Sequence, residues 1–121
     1  MNVFIQEIVD AHIAIENWLG RGEGELASLM ARFAADFSMI APTGACLDYA
    51  SLTGFFQAQR GSRPGLKIVV DDFVVLAQWD NGAVIRYRET QGENVRGSTA
   101  VFRLQEGQIV WRHLHETALG K

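Results

Sequence analysis

The sequence has a single cysteine, Cys46. One thiol excludes an intrachain disulfide and the metal motifs that need two thiolates, and nothing else in the chain argues for an oxidising compartment. A lone cysteine between Ala45 and Leu47 is typical of a small buried apolar side chain, so we expect Cys46 in the core.

Long apolar runs and an excess of positive charge are absent as well. No run approaches the roughly 20 apolar residues that cross a bilayer, and the first residues, MNVFIQEIVD, lack the charged, apolar and small-residue order of a signal peptide. The formal net charge of -3 provides no electropositive field for nucleic-acid phosphates. We therefore expect a cytoplasmic protein whose partners are neither membranes nor nucleic acids.

The chain does have enough apolar sequence for a core. It is 48% hydrophobic over 121 residues, which suits one domain spanning residues 1–121 and is too short for two ordinary domains. No internal repeat, linker or low-complexity segment divides it.

The first half of the chain is patterned for helices. Apolar residues recur with helical spacing near the N-terminus, and His12 completes their stripe, so we expect this histidine to face the core. Gly20 and Gly22 end that helix, and a second apolar stripe follows. Asp48 fits the N-cap of a third helix over Tyr49–Gln59. The two stripes consist of Ile5, Ile8, Ile15 and Leu19, and of Leu26, Leu29, Met30 and Phe33.

The second half is patterned for strands separated by short turns. A short strand within residues 36–44, stopped by Pro42, precedes it, and Asn81-Gly82 is the strongest hairpin signal in the chain. Three helices before a long antiparallel meander predict an α+β fold, in which the sheet curls around the first helix to bury both apolar faces. The four strands of the meander are predicted over residues 66–79, 83–91, 96–104 and 108–117.

The last predicted strand ends on WRHLHET, residues 111–117, and raises the main functional question. Strand alternation puts Trp111, His113 and His115 on one face, and we expect that face to point into the fold opposite His12. The other face then carries Val110, Arg112, Leu114 and Glu116.

Three roles stay open for the paired histidines. A metal site needs further ligands, for which His12 and Glu16 are the candidates, and we expect no metal to be bound. A histidine that titrates near neutral pH can move a proton, so His113 or His115 is a candidate general acid or base. Otherwise the imidazoles satisfy one another in a half-polar pocket, with Trp111 as a flat ligand wall or as core filling.

Four segments resemble the nuclear transport factor 2-like superfamily, the cone-shaped, cystatin-like α+β fold of SnoaL-like proteins and ketosteroid isomerases. They are QEIVDAHIAIENWL, ADFSMIAPTG, AVIRYRETQ and TAVFRLQEGQIVWRHLHET, and they are especially similar to the association domain of calcium/calmodulin-dependent kinase II. The resemblance implies three helices packed on a curved, mostly antiparallel sheet. It also implies a pocket between the first helix and the sheet, and a homodimer paired through the sheet's outer face.

The resemblance bears on the arginines in two ways. The association domain lines its pocket with arginines, and Arg86 matches one of them, whereas Ala100 follows Thr99 where the family has another. The alternation of polar and apolar residues predicts the opposite. Arg86 and Arg88 alternate with apolar neighbours on their strand, so the arginines would face solvent. Both orientations stay open at this point.

Three functions are therefore candidates. The first is a homodimer that binds a small organic molecule, with acids among the candidates, and that uses no cofactor. The second is a SnoaL-like, cofactor-free enzyme with a histidine as proton carrier; a ketosteroid isomerase is disfavoured, because Ala41 stands where that family has its aspartate base. The third is an oligomerisation module. The expected pocket residues are His12, Arg86, Arg88, Trp111, His113 and His115.

Overall fold

The computed structural model describes residues 2–120, in which helices precede a curved sheet. The helices are α1 (Val3–Arg21), α2 (Leu26–Met30) and α3 (Tyr49–Gln59). The strands are β1 (Phe33–Ile40), β2 (Cys46–Asp48), β3 (Ile68–Trp79), β4 (Gly82–Gln91), β5 (Asn94–Gln105) and β6 (Gln108–Ala118). Within residues 2–120, no helix is long and apolar enough to cross a membrane.

Helix α1 begins and ends at clear sequence signals. The Asn2 side chain accepts hydrogen bonds from the backbone N–H groups of Phe4 and Ile5, at 2.8 and 3.2 Å, which satisfies donors that the first turn leaves free. Gly22 closes the helix at a φ of 68°, a left-handed conformation that glycine adopts without strain. His12 is 6% exposed, so the prediction that it faces the core is confirmed.

Helix α2 is shorter than its apolar spacing predicts. The stripe extends to Phe33, but the helix ends at Met30 and Phe33 opens β1. The Arg32 carbonyl accepts a hydrogen bond from the backbone N–H of Trp111 at 2.9 Å, and Phe33 pairs with Trp111 in β6. Pairing with a strand from the far end of the chain therefore overrides the local helical pattern.

Helix α3 has the predicted bounds and the predicted cap. The Asp48 carboxylate accepts a hydrogen bond from the backbone N–H of Ser51 at 2.8 Å. The buried residues Leu52 and Phe56 face the rest of the core. Trp18 of α1 donates its indole N–H to the Phe56 carbonyl at 2.8 Å, which joins the two long helices.

Cys46 is exposed, which corrects the expectation that it is buried. It begins β2, a three-residue strand that the sequence analysis did not predict and that pairs with β1 at the edge of the sheet. A short edge strand has a neighbour on one side only, so its side chains receive little cover.

The six strands form one sheet in the order β2-β1-β6-β5-β4-β3. Among the strands of residues 2–120, only the β1–β6 pair is parallel, so the sheet is mostly antiparallel, as predicted. Each strand of the meander begins and ends within two residues of its predicted bounds. The apolar core lies between the sheet's concave face and helices α1 and α3.

Candidate functional site

A cavity of about 390 Å³ lies between α1, α3 and the concave face of the sheet. This volume is near the lower end of the range of about 300–1,000 Å³ that is usual for small-molecule pockets. Apolar side chains from both helices and from β1 form most of its walls. They include Leu19, Phe33, Phe37, Met39, Leu52 and Phe56.

One end of the cavity is polar, and its residues come from one helix and three neighbouring strands. We call this group the polar end. It consists of His12 from α1, Glu89 and Gln91 from β4, Arg96 from β5 and Glu116 from β6.

His12 and Glu89 form a buried pair within the polar end. Nε2 of His12 lies 3.0 Å from Oε1 of Glu89, and Nδ1 lies 2.7 Å from the carbonyl oxygen of Ile8. A carbonyl only accepts, so Nδ1 carries a proton and donates it. The contact between Nε2 and Glu89 then holds one further proton, and neither ring nitrogen is free to bond a ligand.

Electrostatics places that proton on the imidazole. Burial acts to lower the pKa of His12, but the hydrogen bond and charge of Glu89 outweigh burial and raise the pKa above its ordinary value. Burial acts to raise the pKa of Glu89, but the hydrogen bond and charge of His12 hold it below its ordinary value. The side-chain amide of Gln91 donates a further hydrogen bond to Glu89 at 2.6 Å. The pair is therefore ionic near neutral pH, and its two charges cancel.

Glu116 is the second buried carboxyl of the polar end, 6% exposed. Its Oε1 accepts one long hydrogen bond, at 3.3 Å, from the Arg96 guanidinium. Burial raises the pKa of Glu116; the charge of Arg96 opposes this rise, and the charge of Glu89 adds to it. Glu116 therefore exchanges its proton closer to neutral pH than an ordinary carboxyl does.

Two hydroxyl groups are buried beside the polar end. Tyr87 and Ser98 lie opposite each other in the β4–β5 pair, and their hydroxyl oxygens have no hydrogen-bond partner within residues 2–120. Burial raises the pKa of the Tyr87 phenol well above its ordinary value, and the charge of Glu89 adds to the rise. The phenol is therefore neutral at physiological pH.

Trp111 lines the cavity and is 2% exposed, so its inward orientation is as predicted. Its indole N–H donates to Glu7 at 3.1 Å, and Glu7 also accepts two short hydrogen bonds from Arg32, at 2.7 and 2.9 Å. Because the indole donor is already satisfied inside the fold, Trp111 presents only its ring surface to the cavity.

Solved structures of similar shape identify the family. The crystal structure of an NTF-2-like protein of unknown function from Pseudomonas aeruginosa is 42% identical in sequence, with a TM-score of 0.94, and the match covers 98% of this chain and 100% of that one. The chain belongs to the nuclear transport factor 2-like (NTF2-like) family. The predicted family and its α+β fold are thereby confirmed.

Two further structures share the NTF2-like fold at 12% identity. A putative calcium/calmodulin-dependent kinase II association domain from Exiguobacterium sibiricum has a TM-score of 0.66, with 100% of this chain and 97% of that one covered. A protein with a cystatin-like fold from Nostoc punctiforme has a TM-score of 0.75, with 100% and 95% covered. No protein-family model matches the sequence, and no curated protein matches it.

The paired histidines of this NTF2-like chain point away from the cavity, so the prediction that they face into the cone is wrong. His113 is half-buried, and its Nδ1 lies 2.8 Å from the hydroxyl oxygen of Ser38. His115 is exposed. Leu114 and Glu116, which were expected outside, line the cavity instead.

A β-bulge in β6 causes this reversal. Phe102 of β5 pairs with Trp111, whereas its neighbour Val101 pairs with His113, so Arg112 has no partner on β5. An extra residue in one strand shifts the alternation of every later residue by one position. Trp111, before the bulge, keeps the predicted orientation, and the residues after it exchange faces.

Arg86 and Arg88 also lie outside the cavity, which corrects their place among the expected pocket residues. Both are exposed, and the Arg88 guanidinium donates hydrogen bonds to Asp71 at 2.9 and 3.0 Å. The β4–β5 pair has no register shift, so strict alternation holds and the polarity argument was right. Cross-strand pairing places Arg86 and His115 in one outer row, which consists of Val74, Arg86, Thr99, His115 and Ile40.

The sequence analysis missed most of the polar end. A signal existed for Glu89, because it shares a strand face with Ile85 and Tyr87, and an inward tyrosine would have carried it inside. Nothing local to Glu116 reveals its orientation, since the bulge decides it. Glu16, considered as a metal ligand, accepts a hydrogen bond from the backbone N–H of Ile68 at 2.7 Å. Within residues 2–120, no three His, Cys, Asp or Glu side chains are grouped to hold a metal.

Proposed function

We propose that this NTF2-like protein binds a small organic molecule that is largely apolar and has one polar group. The observation that supports this function best is the cavity, whose apolar walls converge on the polar end. Burial of apolar surface supplies affinity, and a few fixed polar groups orient the ligand. The ligand's polar group would meet Arg96 and Glu116, because His12 and Glu89 already satisfy each other.

Catalysis by a histidine has weaker support than binding. A general acid or base must reach the proton that it transfers. His113 and His115 lie on the outer face, and both ring nitrogens of His12 are occupied. An enzyme hypothesis therefore depends on Glu116, the carboxyl in the cavity lining whose pKa is raised.

A matched pair of variants at the cavity mouth tests the binding proposal. Ala41 lines the cavity, whereas Ala45 is exposed on the same turn and does not; the Ala41 N–H donates to the Ala45 carbonyl at 2.9 Å. We expect Ala41→Trp to block binding of octanoate, octanamide or octylamine in isothermal titration calorimetry. Ala45→Trp should leave binding unchanged. The proposal would be rejected if the unmodified protein bound none of the three compounds.

Self-association through the outer face of the sheet is our second proposal. Its support is the set of exposed apolar side chains Val69, Val74 and Trp79, of which Val74 pairs with outward-facing Arg86. One structure of the same fold is a putative kinase association domain. We expect light scattering to give the mass of a dimer for the unmodified protein. The Val74→Glu variant should have half that mass. The Ile13→Glu variant, changed at an exposed position on α1, should keep the mass of the dimer. A monomeric unmodified protein would contradict this, and a larger ring would favour an assembly role.

A further inference from the structure

The Arg96–Glu116 contact is an incomplete ion pair. The Arg32–Glu7 pair in the same protein has two hydrogen bonds, at 2.7 and 2.9 Å, whereas Arg96 donates a single one at 3.3 Å. Within residues 2–120, neither Arg96 nor Glu116 makes another side-chain hydrogen bond. A guanidinium favours two parallel hydrogen bonds to a planar acceptor. Arg96 therefore has donors left for an acceptor that enters through the cavity.

The charges around Glu116 decide which acceptor fits. The groups that face it are His12 from α1, Glu89 from β4 and Arg96 from β5, and Arg63 lines the cavity beyond them. In the described part of the chain, the lining side chains of α3, β1 and β2 are all uncharged. Since His12 and Glu89 cancel, an ionised Glu116 neutralises Arg96. A protonated Glu116 instead leaves the polar end with one net positive charge.

We propose that the cavity takes a small carboxylic acid, whose carboxylate replaces Glu116 on Arg96 while Glu116 takes up one proton. This inference rests on the proposed function, because it names the ligand class for the same cavity. The long Arg96–Glu116 hydrogen bond breaks, and two hydrogen bonds from Arg96 to the ligand form. The carboxylate enters from neutral solution and the proton comes from solvent, so the complex gains one proton overall.

The burial of Glu116 makes this exchange favourable. Burial already raises the pKa of this carboxyl, so it loses its charge more readily than an exposed carboxyl would. Once protonated, Glu116 has an O–H group that can donate a further hydrogen bond to the ligand carboxylate. An amine would instead place a positive charge beside Arg96 and protonated His12, which disfavours a cationic ligand.

Isothermal titration calorimetry with three octyl compounds tests the proposal on the unmodified protein. We expect octanoate to bind more tightly at about pH 6 than at about pH 8, by up to about tenfold per pH unit, the limit for uptake of one proton. Octanamide, which has the same shape and no charge, should bind equally at both pH values, and octylamine should bind most weakly. Repeating the octanoate titration in buffers of different ionisation enthalpy counts the protons directly and needs no variant.

Two substitutions assign the effect to residues. Glu116→Gln keeps the shape and removes the charge, so octanoate should bind this variant more tightly than it binds the unmodified protein at about pH 8, and without pH dependence. Glu93→Gln, in the exposed β4–β5 turn, should leave the pH dependence unchanged. Arg96→Gln should weaken octanoate binding by about tenfold or more, through loss of charge-assisted hydrogen bonds, and should weaken octanamide binding less, because the amide is uncharged.

The outcomes separate this inference from the proposed function. Octanoate binding that releases or takes up no proton, or that keeps its pH dependence in Glu116→Gln, would overturn the inference while leaving a ligand-binding cavity. Tighter binding of octylamine than of octanoate would overturn it as well. Absence of binding by all three compounds would reject the proposed function itself.

Discussion

His12 of the first helix and Glu89 of β4 hold one proton between Nε2 and Oε1, which lie 3.0 Å apart. The Ile8 carbonyl holds Nδ1 of His12 as a donor, so loss of the shared proton would set the lone pair of Nε2 against a carboxylate. The pair therefore ties α1 to β4 and keeps the imidazole away from any ligand. Glu116, in the same polar end, is therefore the group whose protonation we expect to change when a ligand enters the cavity.

Removing one partner of the His12–Glu89 pair should destabilise the folded protein. We expect His12→Leu to lower the free energy of unfolding by about 3–5 kcal/mol, because it leaves the Glu89 carboxylate buried without its cation. Replacing both residues with leucine should restore part of this loss. Urea unfolding of the two single variants and the double variant measures the coupling, and additive effects would show that the residues do not act as a pair.

The same pair predicts how stability depends on pH. The folded-state pKa of His12 is raised, so its contribution is fully present below the unfolded pKa of about 6.5 and is lost as pH rises through the folded pKa. The pKa of Glu89 is lowered, so its contribution is present above about pH 4.3 and is lost as pH falls through the folded pKa. Urea midpoints should therefore decline above neutral pH, and much less so in the double leucine variant. An equal decline in both proteins would contradict this assignment.

The outward histidines should be dispensable for binding. We expect His115→Gln to change stability by no more than about 0.5 kcal/mol, since the side chain is exposed. His113→Ala should cost about 1 kcal/mol through loss of its hydrogen bond with Ser38. Neither change should alter the calorimetric affinity for octanamide. A tenfold weaker affinity in either variant would place that histidine in the binding site after all.

Two glycines should respond oppositely to an added methyl group. A Cβ at Gly82 would lie 2.6 Å from the Phe102 carbonyl oxygen and 2.7 Å from the Trp79 ring, so we expect Gly82→Ala to destabilise the protein by about 1–3 kcal/mol. A Cβ at Gly54, within α3, would meet nothing within 4 Å, and Gly54→Ala should stabilise by about 0.5–1 kcal/mol. Thermal unfolding compares the two, and a shift of equal sign would contradict the close packing at the β3–β4 turn.

Local signals explain why most of the fold was predictable. The caps at Asn2 and Asp48 and the left-handed Gly22 act on the adjacent backbone, and the 3.6-residue stripe of α1 carries His12 inward whatever the rest of the chain does. A hairpin joins β3 to β4 where the sequence indicates one, but its turn residues are Asp80 and Asn81, and Gly82 already pairs with Trp79. α2 and β2 were misjudged because pairing with strands elsewhere decides where those segments end.

Period and capping are properties of neighbouring residues, and they suffice to predict the fold class, the long helices, the meander and the inward positions of His12 and Trp111. The side chains that complete the cavity depend instead on how distant strands pair. The bulge at Arg112 arises where β6 must fit β5 on one side and β1 on the other, and both of those pairs change register there. One unpaired residue thus turns His113 and His115 outward and Glu116 inward, because successive strand residues alternate between the two faces of the sheet and an extra residue shifts that alternation.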